Sequence, residues 1–134
     1  MVKKINYYSA TGKRKESSAG VRVFRGKEES TVNGMPVGKY FPGKINETFW
    51  QKPFGVTEVA DKYYFTAKVT GGGKNGQLDA LVNGIAKALV KVSSEKYRKP
   101  LKKFKLLTRD ARTRQRRMVG MGGKSRRKKQ SPKR

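Results

Sequence analysis

The sequence predicts an α+β fold: a small, mostly antiparallel sheet packed with helices on one face, followed by an extended basic C-terminal tail. Three observations support this prediction. Strand-like segments come first, one long amphipathic helix follows them, and Asp110 is the last acidic residue before a purely cationic end. Because the strands precede the helix rather than alternate with it, an α+β fold is favoured over a parallel α/β sheet. We expect a globular body over residues 1–107 and a tail over residues 108–134.

The predicted strands are rich in β-branched and aromatic residues. Residues 5–10 read INYYSA and residues 61–70 read DKYYFTAKVT, and each is expected to form a strand. Residues 20–25 and 29–33 are predicted to form a hairpin. Asn33-Gly34 is a strong tight-turn dipeptide because both residues tolerate a positive φ angle.

Two helices are predicted. Residues 77–92 carry apolar side chains at three- and four-residue spacing, which indicates one buried helical stripe. Gly84 costs this helix about 1 kcal/mol relative to Ala, which suggests close packing against a neighbour. A shorter helix around residues 49–54 is expected to cover the sheet and to end near Pro53. The stripe consists of Leu78, Leu81, Ile85, Ala88, Leu89 and Val92, with Asp79, Asn83, Lys87 and Lys91 on the wetter face.

Composition restricts the possible functions. The chain has 34 Lys plus Arg against 9 Asp plus Glu, a net charge of +25, so it should bind polyanions, with nucleic acid favoured over an anionic membrane. It contains no Cys and no His, which removes disulfides, thiolate nucleophiles, common zinc sites and the commonest general acid–base group. No constellation of other residues suggests catalysis. We therefore expect no enzymatic activity, no catalytic residue, no metal, no cofactor and no small-molecule substrate.

The chain also carries no membrane signal. No apolar run approaches the roughly 20 residues needed to span a bilayer, and the first ten residues lack the apolar stretch of a signal peptide. The sequence therefore predicts a soluble, intracellular protein that does not act at a membrane.

The segment GGGKNG, residues 71–76, allows two interpretations. It matches the G-x-G-x-x-G fingerprint of dinucleotide-binding folds, with Glu95 about twenty residues downstream. That fold needs further parallel βα units, for which the remaining chain is too short and too basic. Alternatively, glycine-rich backbone at the start of a helix exposes N–H groups to a phosphate. Residues Gly71, Gly72, Gly73 and Lys74 are accordingly candidate contacts for a nucleic-acid backbone, unless they form only a sharp turn.

Other candidates lie on either side. Lys13, Arg14 and Lys15 are predicted to form a loop that contacts phosphates, although a short basic run is often only a solvated surface. Residues 108–117 either extend as a basic helix or hold a local ion pair between Asp110 and Arg112. Trp50, Tyr63, Tyr64 and Phe65 are expected to be core residues rather than a base-stacking surface.

The tail is expected to contact distant phosphates. From Ala111 onward, 24 residues include eleven basic and no acidic or aromatic side chains. Such a segment cannot collapse on itself, and its contacts should position the protein without reading sequence. Fully extended it reaches about 80 Å, against a radius of gyration of about 13 Å for the body. Its cations are Arg112, Arg114, Arg116, Arg117, Lys124, Arg126, Arg127, Lys128, Lys129, Lys133 and Arg134.

These motifs, in this order, resemble one known family. YYSATGKRKESSA, GGGKNGQLDALVNGIAKAL, LLTRDAR and a closing Lys133-Arg134 are similar to the ninth protein of the small ribosomal subunit in its bacterial form, over essentially the whole chain. The resemblance implies an α+β body on the ribosomal RNA of the subunit head, beside other head proteins, in the cytoplasm or in an organelle. It also implies a tail directed toward peptidyl-site tRNA during translation.

The resemblance assigns roles residue by residue. Lys133 and Arg134 match the closing pair that approaches tRNA, whereas Lys13 to Lys15, Gly71 to Gly73, Arg109 and Arg112 match positions expected near ribosomal RNA. The chain departs from the family where Gln130 stands in place of an aromatic residue, where Pro132 is inserted before the closing pair, and where Gly20 stands in place of an Arg. Two alternative functions are a nucleotide-dependent enzyme that uses GGGKNG and a general DNA-compacting protein.

Overall fold

The computed structural model describes residues 6–120 and has an α+β fold, as predicted. A five-stranded sheet and four helices account for its regular structure. In chain order the elements are β1 (Tyr7–Arg14), β2 (Ser17–Arg25), β3 (Thr31–Val32), β4 (Met35–Pro36), α1 (Val37–Tyr40), α2 (Lys44–Thr57), β5 (Tyr63–Thr70), α3 (Lys74–Val92) and α4 (Ser94–Lys103).

The sheet has the strand order β1-β2-β5-β3-β4. Its neighbouring strands run antiparallel except for β3 and β5, which are parallel, so the sheet is mostly antiparallel as expected. The predicted hairpin of residues 20–25 and 29–33 is wrong, because β5 lies between β2 and β3. Asn33-Gly34 does form a tight turn, but it joins β3 to β4.

Asn33 explains why β3 pairs with β5. Its backbone N–H donates to the carbonyl of Ala67. Its side chain continues the pairing, since Nδ2 donates to the Val69 carbonyl at 3.0 Å and Oδ1 accepts from the Val69 N–H at 2.8 Å. The side-chain amide thus makes the hydrogen bonds that a further peptide unit of the two-residue strand β3 would make with β5. The spacing of residues in the sequence does not predict this interaction.

The core lies between one face of the sheet and the helices. Alternate residues of β2 and β5 point to this face, and Val21, Val23 and Phe65 are fully buried there. The predicted stripe of α3 packs against them, with only Val92, at the helix end, partly exposed. Burying one Leu or Ile side chain contributes about 1.5–3 kcal/mol, so this contact contributes strongly to the stability of the fold.

Two glycines bring α3 into contact with the sheet backbone. A Cβ atom on Gly84 would lie 2.7 Å from Cγ2 of Val21. A Cβ on Gly12 would collide with the Ala80 carbonyl and the Gly84 amide nitrogen. The close packing predicted at Gly84 is therefore confirmed, with Gly12 of β1 as its counterpart.

Helix α2 continues beyond the predicted end near Pro53. Pro53 and Phe54 are buried against the core, and this burial offsets the roughly 3 kcal/mol that an interior proline costs. The helix ends instead at Glu58, whose φ of 57° is left-handed and whose N–H donates to the Gly55 carbonyl.

Helix α4 was not foreseen. It holds Pro100 in its interior and buries only Leu101 among mostly charged residues, so its few apolar side chains give little indication of a helix. Its last turn is followed by Leu106 and Leu107, which pack partly against the core.

Candidate nucleic-acid interface

The turn between β1 and β2 presents two exposed cations. The strand extends to Arg14, so the predicted loop is shorter than expected and consists of Lys15 and Glu16 alone. Lys15 has a φ of 53°, which allows the tight reversal. Lys13 and Lys15 are exposed on either side of Arg14. This end of the hairpin therefore exposes two positive charges, with the exposed carboxylate of Glu16 beside them.

The glycine turn at residues 71–73 packs directly against the hairpin turn. Gly71 and Gly72 have φ angles of 75° and 60°, in the left-handed region that glycine tolerates best. A Cβ on Gly71 would lie 2.6 Å from the Glu16 carbonyl oxygen, and one on Gly72 would collide with Ser17 Oγ. Ser17 Oγ also donates to the Gly71 carbonyl at 3.1 Å. These glycines are needed for a turn and for close backbone approach.

The start of α3 lies beside this turn. Gly73 is its N-cap and provides no side-chain hydrogen bond, and no acidic residue occupies the first helical turn. The positive end of the helix dipole is therefore not compensated by a carboxylate of that turn. Lys74 folds back onto α1, where its Nζ lies 3.2 Å from the Tyr40 carbonyl and 3.4 Å from the centre of the Tyr40 ring. The positive charge of Lys74 therefore stays next to the N-terminus of α3.

Arg14 binds the segment that leaves the body, which we call the tail root (residues 108–112). Its side chain is only 16% exposed. Nη1 donates to the Arg112 carbonyl at 2.9 Å and pairs with the Asp110 carboxylate at 3.1 Å. Nε lies 3.6 Å from Asp79 Oδ2 on α3. Arg14 thus joins the hairpin, the helix and the tail root.

The predicted ion pair between Asp110 and Arg112 is present. Arg112 Nη2 donates to Oδ2 at 2.8 Å, and its backbone N–H donates to Oδ1 at 3.0 Å. These two hydrogen bonds from Arg112, assisted by the charge of Arg14, hold the pKa of the Asp110 carboxyl well below its usual range. A carboxyl whose pKa is lowered in the folded state is ionised above its ordinary pKa and stabilises the fold there through its ion pairs. Asp110 is therefore charged at neutral pH and remains paired with both arginines.

Asn83 holds the chain just before the tail root. Its buried Nδ2 donates to the carbonyls of Leu106 and Leu107 at 3.1 and 3.4 Å. Sequence reasoning placed Asn83 and Asp79 on the wetter face of α3 and missed this function. The only signal was two short polar side chains, four residues apart on one helix face.

The structure therefore brings most of the described candidates to one end of the molecule: the hairpin turn, the glycine turn, the start of α3 and the tail root. Arg109 and Arg112 are exposed there. Residues 109–118 form no helix or strand, so the basic-helix alternative is wrong for this stretch. Arg114, Arg116 and Arg117 lie along it and are exposed. Lys124, Arg126, Arg127, Lys128, Lys129, Lys133 and Arg134 lie outside the described residues.

The aromatic candidates divide between the two faces of the sheet. Phe65 is fully buried, with Trp50 at 5.9 Å and 68° in an edge-to-face contact, and Tyr63 is partly buried, as predicted for core residues. Tyr64 instead lies on the opposite face, where its ring stacks on Phe24 at 5.3 Å.

The dinucleotide-binding interpretation of GGGKNG is not supported by the topology. In the described residues α3 is followed by α4 and by no further strand, so the required βαβ unit is absent. The same residues contain no cluster of acidic side chains that would hold a metal ion. None of their helices is long and apolar enough to cross a bilayer.

Comparison with known proteins decides the family. Residues 12–134 match the profile of ribosomal protein S9/S16. The chain belongs to this family. Over 113 residues it is 42% identical to small ribosomal subunit protein uS9 of Cutibacterium acnes. The aligned region covers 84% of this chain and 65% of that protein. It is equally similar to uS9 of Leifsonia xyli subsp. xyli, with 84% and 67% covered.

Membership confirms the resemblance seen in the motifs. The matched residues include the hairpin turn, the glycine turn and the tail root. The chain spans only about two thirds of the length of these two relatives.

Proposed function

We propose that this S9/S16 family member is a structural constituent of the small ribosomal subunit that binds head ribosomal RNA through backbone phosphates and has no catalytic activity. The main support is that the chain belongs to this family, has a net charge of +25 and exposes a cluster of cations at one end. Ribosomal RNA and neighbouring head proteins are its partners, on ribosomes of the cytoplasm or of an organelle. We also propose that residues 1–107 form the globular body and residues 108–134 the basic tail.

The proposed contacts differ in kind. Lys13 and Lys15 are exposed point charges, suited to neighbouring phosphates. Residues 71–74 offer backbone N–H groups and one lysine at the start of α3. Arg14 is occupied by protein acceptors, so its role is to position the tail root, while Arg109 and Arg112 remain exposed to RNA.

The tail adds further cations to these proposed contacts. We propose that Arg114, Arg116, Arg117, Lys124, Arg126, Arg127, Lys128 and Lys129 contact ribosomal RNA along its course, and that Lys133 and Arg134 contact the peptidyl-site tRNA. The support is their uninterrupted positive charge and their match to the family's sequence.

Salt dependence tests the proposal. If six to ten phosphates are neutralised, affinity for a head-domain rRNA fragment falls by about 10³–10⁵-fold between 50 and 200 mM salt. Lys15→Gln should lower the salt slope by up to about one, because one phosphate contact is lost. Lys96→Gln is the matched control, since Lys96 is exposed on α4, which follows the end of α3 away from the glycine turn.

Three results would contradict the proposal. A nearly flat salt slope would exclude phosphate neutralisation as the basis of binding. Equal affinity for duplex DNA in competition would favour a DNA-compacting protein. Saturable nucleotide binding beyond that of inorganic phosphate, measured by calorimetry, would favour the nucleotide-dependent enzyme.

A further inference from the structure

The sheet face away from the helices carries an ordered array of side chains, which we call the open face. The strand register aligns it in rows across β1, β2 and β5. The first row is Tyr7, Phe24 and Tyr64, the second Ser9, Arg22 and Thr66, the third Thr11, Gly20 and Lys68, and the fourth Lys13, Ser18 and Thr70. Successive rows are about 7 Å apart, because alternate residues of a strand share a face.

The first row, which we call the aromatic row, consists of three rings in contact, one on each strand. Tyr7 and Phe24 have ring centres 5.7 Å apart, and Phe24 and Tyr64 stack at 5.3 Å with planes inclined by 14°. Tyr7 is 46% exposed. Arg22 adds a cation 5.0 Å from the centre of the Tyr7 ring. Rings in this position are not needed for the core, which lies on the other face.

A groove of about 630 Å³ begins beside Tyr7 of this row and continues across the sheet. Its floor is at Gly20, where a Cβ atom would find nothing closer than the Lys68 carbonyl at 3.9 Å. Arg22, Lys68 and Lys91 line it, and among the described residues that do so none is acidic. Glu28 is the acidic neighbour at the far end, where it interacts with the Tyr64 hydroxyl.

We propose that the open face binds unpaired RNA, with nucleobases stacked on the aromatic row and the backbone running along the groove past Arg22 and Lys68. This inference rests on the proposed RNA-binding function and adds a second surface to it. Exposed sheet aromatics stack on bases that are splayed from a helix, whereas duplex RNA offers mainly phosphates and sugars. An apolar protein partner would leave the groove's cations buried without counter-charges, a costly arrangement.

Comparing a base-bearing and an abasic oligomer separates stacking from charge. The wild-type chain is titrated with a ten-nucleotide oligouridylate and with an abasic ribose-phosphate decamer of equal charge, at several salt concentrations. We expect tighter binding of oligouridylate. The double variant Tyr7→Ala/Tyr64→Ala should lose about fivefold or more of that affinity, with the abasic oligomer and the salt slope unchanged.

Two further variants serve as controls for folding and position. Tyr8 is adjacent to Tyr7 in β1 and is similarly exposed, at 42%, but its side chain points to the other face of the sheet. Tyr8→Ala should therefore leave the preference for oligouridylate over the abasic oligomer unchanged. Gly20→Thr fills the groove with a strand-favouring residue that has room for its Cβ. It should fold at least as well as wild type and should weaken oligouridylate binding.

The outcomes separate this inference from the function on which it rests. Equal affinity of the wild type for both oligomers, or a preference that survives in the double variant, would overturn the open-face site. Tighter binding of an acidic peptide at these same residues would assign the face to a protein. If head-domain rRNA binding showed no salt dependence, the proposed function itself would fail.

Discussion

Gly12 and Gly20 lie in neighbouring strands, and their surroundings differ completely. Gly12 faces α3, where the helix backbone at Ala80 and Gly84 leaves no space for a methyl group. Gly20 faces the open groove and has space around it. The first glycine is required by packing, whereas nothing in the fold requires the second.

This contrast predicts opposite effects of the same substitution. Gly12→Ala should lower the free energy of unfolding by about 3 kcal/mol, since backbone rather than a flexible side chain must move. Gly20→Ala should be neutral or raise it by up to about 1 kcal/mol, because the unfolded chain loses freedom. Urea unfolding of both variants beside wild type measures the difference. Equal stabilities would show that α3 does not approach β1 as closely as described.

At the scale of elements, the hairpin of β1 and β2 organises the candidate interface. Its turn supports the glycine turn through Ser17, and Arg14 at the end of β1 holds the tail root. The tail therefore leaves the body at a position set by a strand, although the tail root has no regular structure of its own.

Removing this contact should loosen the tail root. In Arg14→Gln, trypsin should cut after Arg109 and Arg112 about fivefold faster, the change expected from losing roughly 1 kcal/mol of local stability. Lys15→Gln removes the adjacent charge without this contact and should leave the cutting rate after these arginines unchanged. Identical cleavage rates in Arg14→Gln and wild type would show that Arg14 does not hold this segment.

Elements whose signal is local were predictable from the sequence. Helix α3 and strand β5 follow from periodicity and residue type, and the Asn33-Gly34 turn follows from its φ preferences. The pairing of β3 with β5 was not predictable, since it depends on the Asn33 side chain meeting a strand more than thirty residues away.

In the candidate site, too, the local features were predictable from the sequence and the long-range contacts were not. Its basic and glycine segments were found individually, because charge and glycine content are visible in the sequence. Their meeting at one end depends on Arg14 contacting residues almost a hundred positions later, and on Asp79 of α3. The open face was missed because Tyr7, Phe24 and Tyr64 become neighbours only through strand register.

For the whole molecule, the distribution of charge separates two functions. Residues 1–110 carry 23 basic and 9 acidic side chains, whereas the 24 residues that follow carry eleven basic and no acidic ones. The proposed contacts with ribosomal RNA are spread over many cations of both parts. The proposed tRNA contact depends on Lys133 and Arg134 alone.

Neutralising that pair therefore predicts a selective defect. Lys133→Gln/Arg134→Gln removes two of 34 cations, so co-sedimentation with small subunits should remain nearly unchanged. Peptidyl-site tRNA should dissociate about fivefold faster, because about 0.5 kcal/mol of attraction is lost with each of the two phosphate contacts, about 1 kcal/mol in total. Lys102→Gln/Lys103→Gln removes the same charge from the end of α4 and is the matched control. If both double variants released tRNA at the wild-type rate, the closing pair would have no part in holding it; if both released it equally fast, total charge rather than position would be responsible.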